Sequence, residues 1–334
     1  QIMVGLEPVS VAVRPDGKEV WVANHVSDSV SVIDTDPASA SYRQVVETIQ
    51  DLRSDGATRF DEPVGIAFAS NAKAYVALSS RNQIAVVDAA GYSVTGTLNI
   101  RAQEPRAIAA RNGRLYVAAF ESGNQSELSA CASLDAPQCT LSLTDLFTFA
   151  TNPNIPGSDK NIVIDPQVPD RDLFVFSTSN ENEIKVVEGV GTLLYGLAVD
   201  ASDRVYVTQT DARNAVNGIT TGLAGDVNGD GNVNLVDLEN RMFTNEVAIL
   251  DCGGGGPGCS VVSTVDLDPS FPDPGTALAT PYGIALSNES SPTIVATAAG
   301  TSRLFTMSAS GTLLAQLDVG AIPRGVALYS DPDT

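Results

Sequence analysis

A chain of 334 residues, 43% hydrophobic and 6% aromatic, has ample material for a core, yet no apolar run in it is long enough to span a bilayer. Forty acidic against nineteen basic side chains give a formal charge of -21, which argues against a nucleic-acid backbone as partner and favours cations, basic surfaces or simple solubility. Four cysteines fall into two tight pairs, Cys131 with Cys139 and Cys252 with Cys259. Neither spacing is the Cys-x-x-Cys of a redox or zinc centre, so both read as disulfide loop staples in an oxidising compartment.

The chain opens at Gln1, as expected of a mature product or a piece of a longer chain. Ile2-Met3-Val4 reads as an outer strand of the kind that precedes Pro in later copies. The first full unit then runs from Pro8 to about Leu52. It has an alternating run after Pro8, a turn at Arg14-Pro15-Asp16-Gly17, a second run at Val20-Trp21-Val22-Ala23-Asn24, a third at 29–34 and an outer strand near 45–49. The order repeats from Pro63 to Ile100. A third unit opens at Pro105 with runs at 107–109 and 115–118, and is interrupted by the segment carrying Cys131 and Cys139. Residues 141–149 are expected to restore its outer strand. A fourth, less regular unit is read from 161–165, 173–176 and 183–187. The fifth has runs at 195–199 and 204–208, an insertion from about Asp211 to Thr244, then 246–250 and 260–265. The sixth spans 282–317. After Pro323 only 324–329 follows, predicting the first strand of a seventh unit whose second and third strands are missing. Such a unit cannot bury its own apolar faces, so the copies must stack on one another.

The succession Pro-x-x-Val/Ile-Ala, aromatic-Val-Ala/Thr, Val/Ile-Asp resembles the Tyr-Val-Thr-Asn β-propeller repeats of bacterial and archaeal surface and periplasmic proteins. Trp21-Val22-Ala23-Asn24 and Tyr206-Val207-Thr208-Gln209 are the nearest matches to the tetrad. The resemblance implies one all-β domain over 1–334, a β-propeller of seven blades with an incomplete last blade, or alternatively of six. It implies a secreted, cell-surface or periplasmic location. An open blade leaves unpaired strand edges, so the remainder of a longer chain, or a neighbouring subunit, is expected to complete it.

Within the 211–244 insertion, Asp226, Asn228, Asp230, Asn232 and Asp237 stand at loop positions one, three, five, seven and twelve, with Gly231 at position six. Side-chain oxygens at one, three, five and twelve and a backbone carbonyl at seven are what calcium takes, whereas magnesium demands stricter octahedral geometry. The loop resembles one calcium segment of a dockerin, in which position twelve is commonly Asp; a dockerin carries two such segments and one is found here. Residues 235–242 read as a short exiting helix. The expected task of the ion is structural, ordering the insertion.

Loops at one end of the units bring Glu7, Glu62, Glu104, Arg106, Tyr282 and Arg324 together, joined by His25, Arg81 and Asn180 from turns between second and third strands. These form a candidate ligand rim for a protein or carbohydrate. No phosphate loop, dinucleotide fingerprint, zinc-protease helix or serine elbow is present, and His25 is the only histidine. The expected function is a calcium-stabilised binding or structural module. The alternative is a hydrolase or lyase of the lactonase-like propeller type, acting at the channel mouth.

Overall fold

The computed structural model describes residues 1–122, 126–130, 139–142, 160–164, 169–212, 243–253, 258–268 and 275–328. Everything regular in them is antiparallel β. Strands β1 (Pro8–Val13), β2 (Glu19–Asn24), β3 (Ser29–Asp34) and β4 (Val45–Ile49) form the first sheet in that order. Strands β5 (Pro63–Ser70), β6 (Lys73–Leu78), β7 (Gln83–Asp88) and β8 (Ser93–Asn99) form the second.

The third sheet opens with β9 (Gln103–Arg111) and β10 (Arg114–Glu121). The chain then leaves to form a separate three-stranded sheet from β11 (Ser126–Ala130), β12 (Cys139–Ser142) and β13 (Lys160–Ile164), with β13 in the middle. It returns as β14 (Leu173–Ser177), which pairs with β10, and β15 (Glu183–Val187). The fourth sheet contains β16 (Leu193–Val199), β17 (Arg204–Ala212), β18 (Phe243–Asp251) and β19 (Ser260–Asp266), and one bridge, Glu121 to Leu193, joins it to the third. The fifth contains β20 (Pro281–Leu286), β21 (Ile294–Ala298), β22 (Arg303–Met307) and β23 (Leu313–Asp318).

These pairings correct four expectations. The third and fourth sequence units are one sheet, because the 173–176 run pairs with the 115–118 run across the insertion. Residues 161–164 pair with β11 and β12 instead of opening a blade, and Leu141 and Ser142 pair with β13. Ile2–Met3–Val4 forms no strand. In the fourth sheet Asp211 pairs with Thr244 and Ala212 with Phe243, so the ladder runs two residues further into the expected insertion on each side. Five four-stranded units are therefore present among the described residues, with 323–328 as a sixth copy of the first strand that forms no strand here.

The core lies between sheets. Second strands are largely buried, and in the first four sheets the aromatic of each packs against the next sheet. Trp21 clusters with Ala74 and Val76, Tyr75 with Leu115 and Val117, Tyr116 with Val205 and Val207, and Tyr206 with Ile294 and Ala296. All four aromatics are fully buried, and each large ring removes on the order of 150–250 Å² from water. The first strands adjoin one another in sequence: β1 beside β5, β5 beside β9, β9 beside β16 and β16 beside β20. Small residues permit this approach. A Cβ at Gly65 would stand 2.2 Å from the Arg106 carbonyl, and one at Gly283 would stand 2.3 Å from the Arg324 carbonyl.

A recurring clamp joins the sheets at the end where first strands begin. Glu7, Glu62, Glu104, Thr280 and Ile322 each precede a Pro and share a φ of 51 to 53°. The N–H of Glu62 donates to Asp28 Oδ1 (3.0 Å), that of Glu104 to Asn82 Oδ1 (2.9 Å) and that of Thr280 to Asn245 Oδ1 (2.8 Å), each acceptor belonging to the preceding sheet. The carbonyls of Glu7, Glu62 and Thr280 accept from His25, Ser79 and Ala299 in their own sheets. The left-handed conformation costs a non-glycine residue about 1–2 kcal/mol, so it persists where paired backbone groups over-determine it.

Candidate functional site

The residue following each Pro, or its equivalent, falls at the same place in all six copies: Val9, Val64, Arg106, Tyr195, Tyr282 and Arg324. All six line one cavity of about 530 Å³ enclosed by the first strands. Three neighbouring strands and the 323–328 segment thus give the cavity an arginine and tyrosine side, while β1 and β5 give it an aliphatic side.

The polar side is a ladder of rings and guanidiniums. The Arg106 guanidinium lies 4.1 Å from the Phe120 ring centre, Phe120 meets Tyr195 edge-on at 5.5 Å, and Tyr195 and Tyr282 are 5.3 Å apart. Arg324 lies 5.7 Å from the Tyr282 ring centre. Stacking of this kind holds a guanidinium flat while leaving its N–H edge available. Arg106 also ion-pairs with Glu104, and its buried Nε has no acceptor among the described residues. Tyr282 is fixed from behind, its carbonyl accepting from Thr208 Oγ1 at 2.6 Å.

Of the expected rim residues, Glu7, Arg106, Tyr282 and Arg324 line this cavity, and Glu104 reaches it through its pair with Arg106. Glu62 belongs to the clamp, and its carboxylate accepts from Ser79 Oγ at 3.3 Å. His25 donates its backbone N–H to Glu7, and Arg81 is exposed in the turn after β6. Asn180 does not join them: its turn connects β14 to β15 at the opposite end, where Glu181 pairs with Lys73 at 2.7 Å. Tyr195 and Phe120 are additions that were not expected. Aligning the copies would have found Tyr195, because Leu194 stands where the others have Pro.

A second feature was also unforeseen. Asp170 and Asp172 stand where the chain re-enters the third sheet, bonded to the loop between β15 and β16. The Gly189 N–H donates to Asp170 Oδ2 at 3.1 Å and the Val190 N–H to Asp172 Oδ2 at 2.6 Å. Burial, with the charge of Asp170 beside it, pushes the Asp172 carboxyl up to about 7; burial also raises Asp170. Nearby Asp211 is pushed up to about 6, again chiefly by burial.

Among the described residues no group of three or more His, Cys, Asp or Glu is arranged to hold a metal ion. Asp226, Asn228, Asp230, Asn232 and Asp237 lie outside the described residues, as does the exiting helix. Cys252 and Cys259 form the expected disulfide, buried at the edge of the core between the third and fourth sheets; Cys131 lies outside the described residues, so its pairing with Cys139 does too. Among the described residues no helix is long and apolar enough to cross a membrane.

No protein-family model matches the chain. No curated protein matches it either. Among solved structures, a chain of Kuenenia stuttgartiensis hydrazine synthase superposes with a TM-score of 0.50 at 14% identity, covering 97% of this chain and 90% of that one. The similarity extends over nearly the whole chain and is one of fold alone.

Proposed function

We propose that the five sheets and the 323–328 segment are the blades of a six-bladed β-propeller, and that its mouth is a binding site for a carboxylate-bearing carbohydrate. The observation that carries this reading is the convergence of six equivalent first-strand positions on one cavity, four of them Arg or Tyr. Flat tyrosine faces suit the apolar face of a sugar ring, and stacked guanidiniums suit a carboxylate. The net charge of -21 opposes a long polyanion, but charges beyond about 8–10 Å are screened at physiological salt, so a short acidic oligosaccharide meets the local balance of Arg106 and Arg324 against Glu7 and Glu104.

The same reading makes the protein a secreted, cell-surface or periplasmic module, which the Cys252–Cys259 disulfide supports. It assigns calcium to Asp226, Asn228, Asp230, Asn232 and Asp237 on the strength of their loop spacing. A lactonase-like hydrolase would need carboxylates free to ring a cation. Glu104 is engaged by Arg106 and Glu62 by Ser79, which favours binding over that chemistry.

Calorimetric titration with an oligogalacturonate and a neutral oligosaccharide of equal length tests the site. The acidic ligand should bind, the neutral one at least about tenfold more weakly, and Arg106→Ala or Arg324→Ala should each weaken binding by about tenfold, about 1.4 kcal/mol. Equal binding of the two sugars, or binding indifferent to both substitutions, would overturn the assignment.

A further inference from the structure

Three of the residues that stand just before a Pro at the mouth are glutamates, and their carboxylates are used differently. Glu104 is held by Arg106, and Glu62 accepts from Ser79 Oγ. Glu7 lines the cavity, and its carboxylate has no partner among the described residues. Its backbone is nonetheless pinned on both sides. The Leu6 N–H donates to Ser27 Oγ at 3.0 Å, and the Glu7 carbonyl accepts from the His25 N–H at 2.9 Å. A fixed segment therefore presents a free carboxylate at the mouth.

The remaining charge at the mouth is positive. Arg106 and Glu104 neutralise one another, whereas Arg324, beside the Tyr282 ring, makes no ion pair among the described residues. One cavity is thus lined by a cation and an anion that do not pair with each other. A ligand with a carboxylate alone satisfies Arg324 and is repelled by Glu7. A ligand with an ammonium alone meets the reverse. One that carries both groups satisfies both side chains, with charge-assisted hydrogen bonds at each end. The field of the whole molecule points the same way. At a net charge of -21 every further uronate on an oligomer is opposed, while a sugar that alternates amine and carboxylate carries no net charge.

We propose that the mouth selects a zwitterionic carbohydrate, an amino sugar with a free amine linked to a uronic acid, and that Glu7 is the residue that selects the amine. This inference rests on the carbohydrate reading of the mouth and narrows it. Arg324, with Arg106, takes the carboxylate, Glu7 takes the ammonium, and Tyr195 and Tyr282 take the sugar faces.

The probes are a disaccharide of glucosamine and glucuronate with its amine free, the same disaccharide N-acetylated, and digalacturonate. They are titrated calorimetrically into the intact chain at about pH 6, where an ordinary amine is charged and a uronate ionised. The free-amine sugar should bind about fivefold more tightly than either of the others, the upper range for a partly exposed ion pair. Glu7→Gln should abolish that preference and tighten digalacturonate binding, because a repelling charge is gone. Glu7→Lys should reverse the preference. The two ligands respond in opposite directions, which a general loss of structure, weakening both, does not reproduce. Equal affinity for the free-amine and N-acetylated sugars overturns the proposal, as does a preference that survives Glu7→Gln. If digalacturonate binds in either case, the inference about Glu7 falls alone. If none of the three sugars binds, the carbohydrate reading of the mouth falls with it.

Discussion

Asp172 is the residue whose chemistry is least expected from its surroundings. A fully buried carboxyl beside a second carboxyl holds its proton to about pH 7, whereas an unfolded aspartate releases it near pH 4. Between those values the native state binds more protons than the unfolded one, so this group lowers stability as pH rises from about 4 to 7, and the loss is complete above 7. Asp172→Asn keeps an acceptor for the Val190 N–H and removes the charge. It should therefore stabilise the protein at pH 8 by about 2 kcal/mol and leave stability nearly unchanged at pH 4 to 5. Urea unfolding at the two pH values checks this; equal effects at both would mean that Asp172 does not titrate between them. Nothing in the sequence around Asp170 and Asp172 marks them, because their burial comes from the 189–191 loop folding over them. Arg106, Tyr282 and Arg324 were legible, by contrast, because a Pro in front of each fixes its place in the repeat.

At the scale of elements, a period of two with turn residues between runs was enough to place the first and second sheets almost strand for strand. It failed in the third sheet. The 161–164 run, Asn-Ile-Val-Ile, is apolar and β-branched as a strand should be, but such a run says that a strand forms and not which strand lies alongside it. Pairing β10 with β14 across some fifty residues was decided by the apolar faces of Tyr116 and Val175, which meet in register. The glycines of the first strands carry a similar, testable constraint. A methyl group at Gly65 would press on the Arg106 carbonyl of the neighbouring strand, and backbone cannot yield as a side-chain tip can. Gly65→Ala should cost about 1–3 kcal/mol. Gly96→Ala, in outer strand β8 with nothing within 4 Å of the added carbon, should be neutral or slightly stabilising. Comparable unfolding midpoints for the two variants would refute close approach of β5 to β9.

On the scale of the whole molecule, both long insertions leave from the same end of their sheets. One departs between Glu121 and Leu173, the other between Ala212 and Phe243, and in each sheet that is the end where the first strand begins and the cavity opens. The described sheets are joined to one another by apolar clusters and clamps drawn from their own strands and turns. Folding of the sheets and ordering of the second insertion are therefore expected to be separable. If calcium is held by the Asp226 to Asp237 loop, its binding free energy falls on that segment and not on the core. Chelation should then open the 213–242 segment to trypsin at Arg213 or Arg241 at least about tenfold faster, while the melting temperature of the sheets moves by no more than a degree or two. Asp226→Ala together with Asp230→Ala should reproduce the effect with calcium present. Cleavage at one rate with and without chelator would remove calcium from the protein's account, and a large fall in melting temperature would show that the insertion belongs to the folding unit after all.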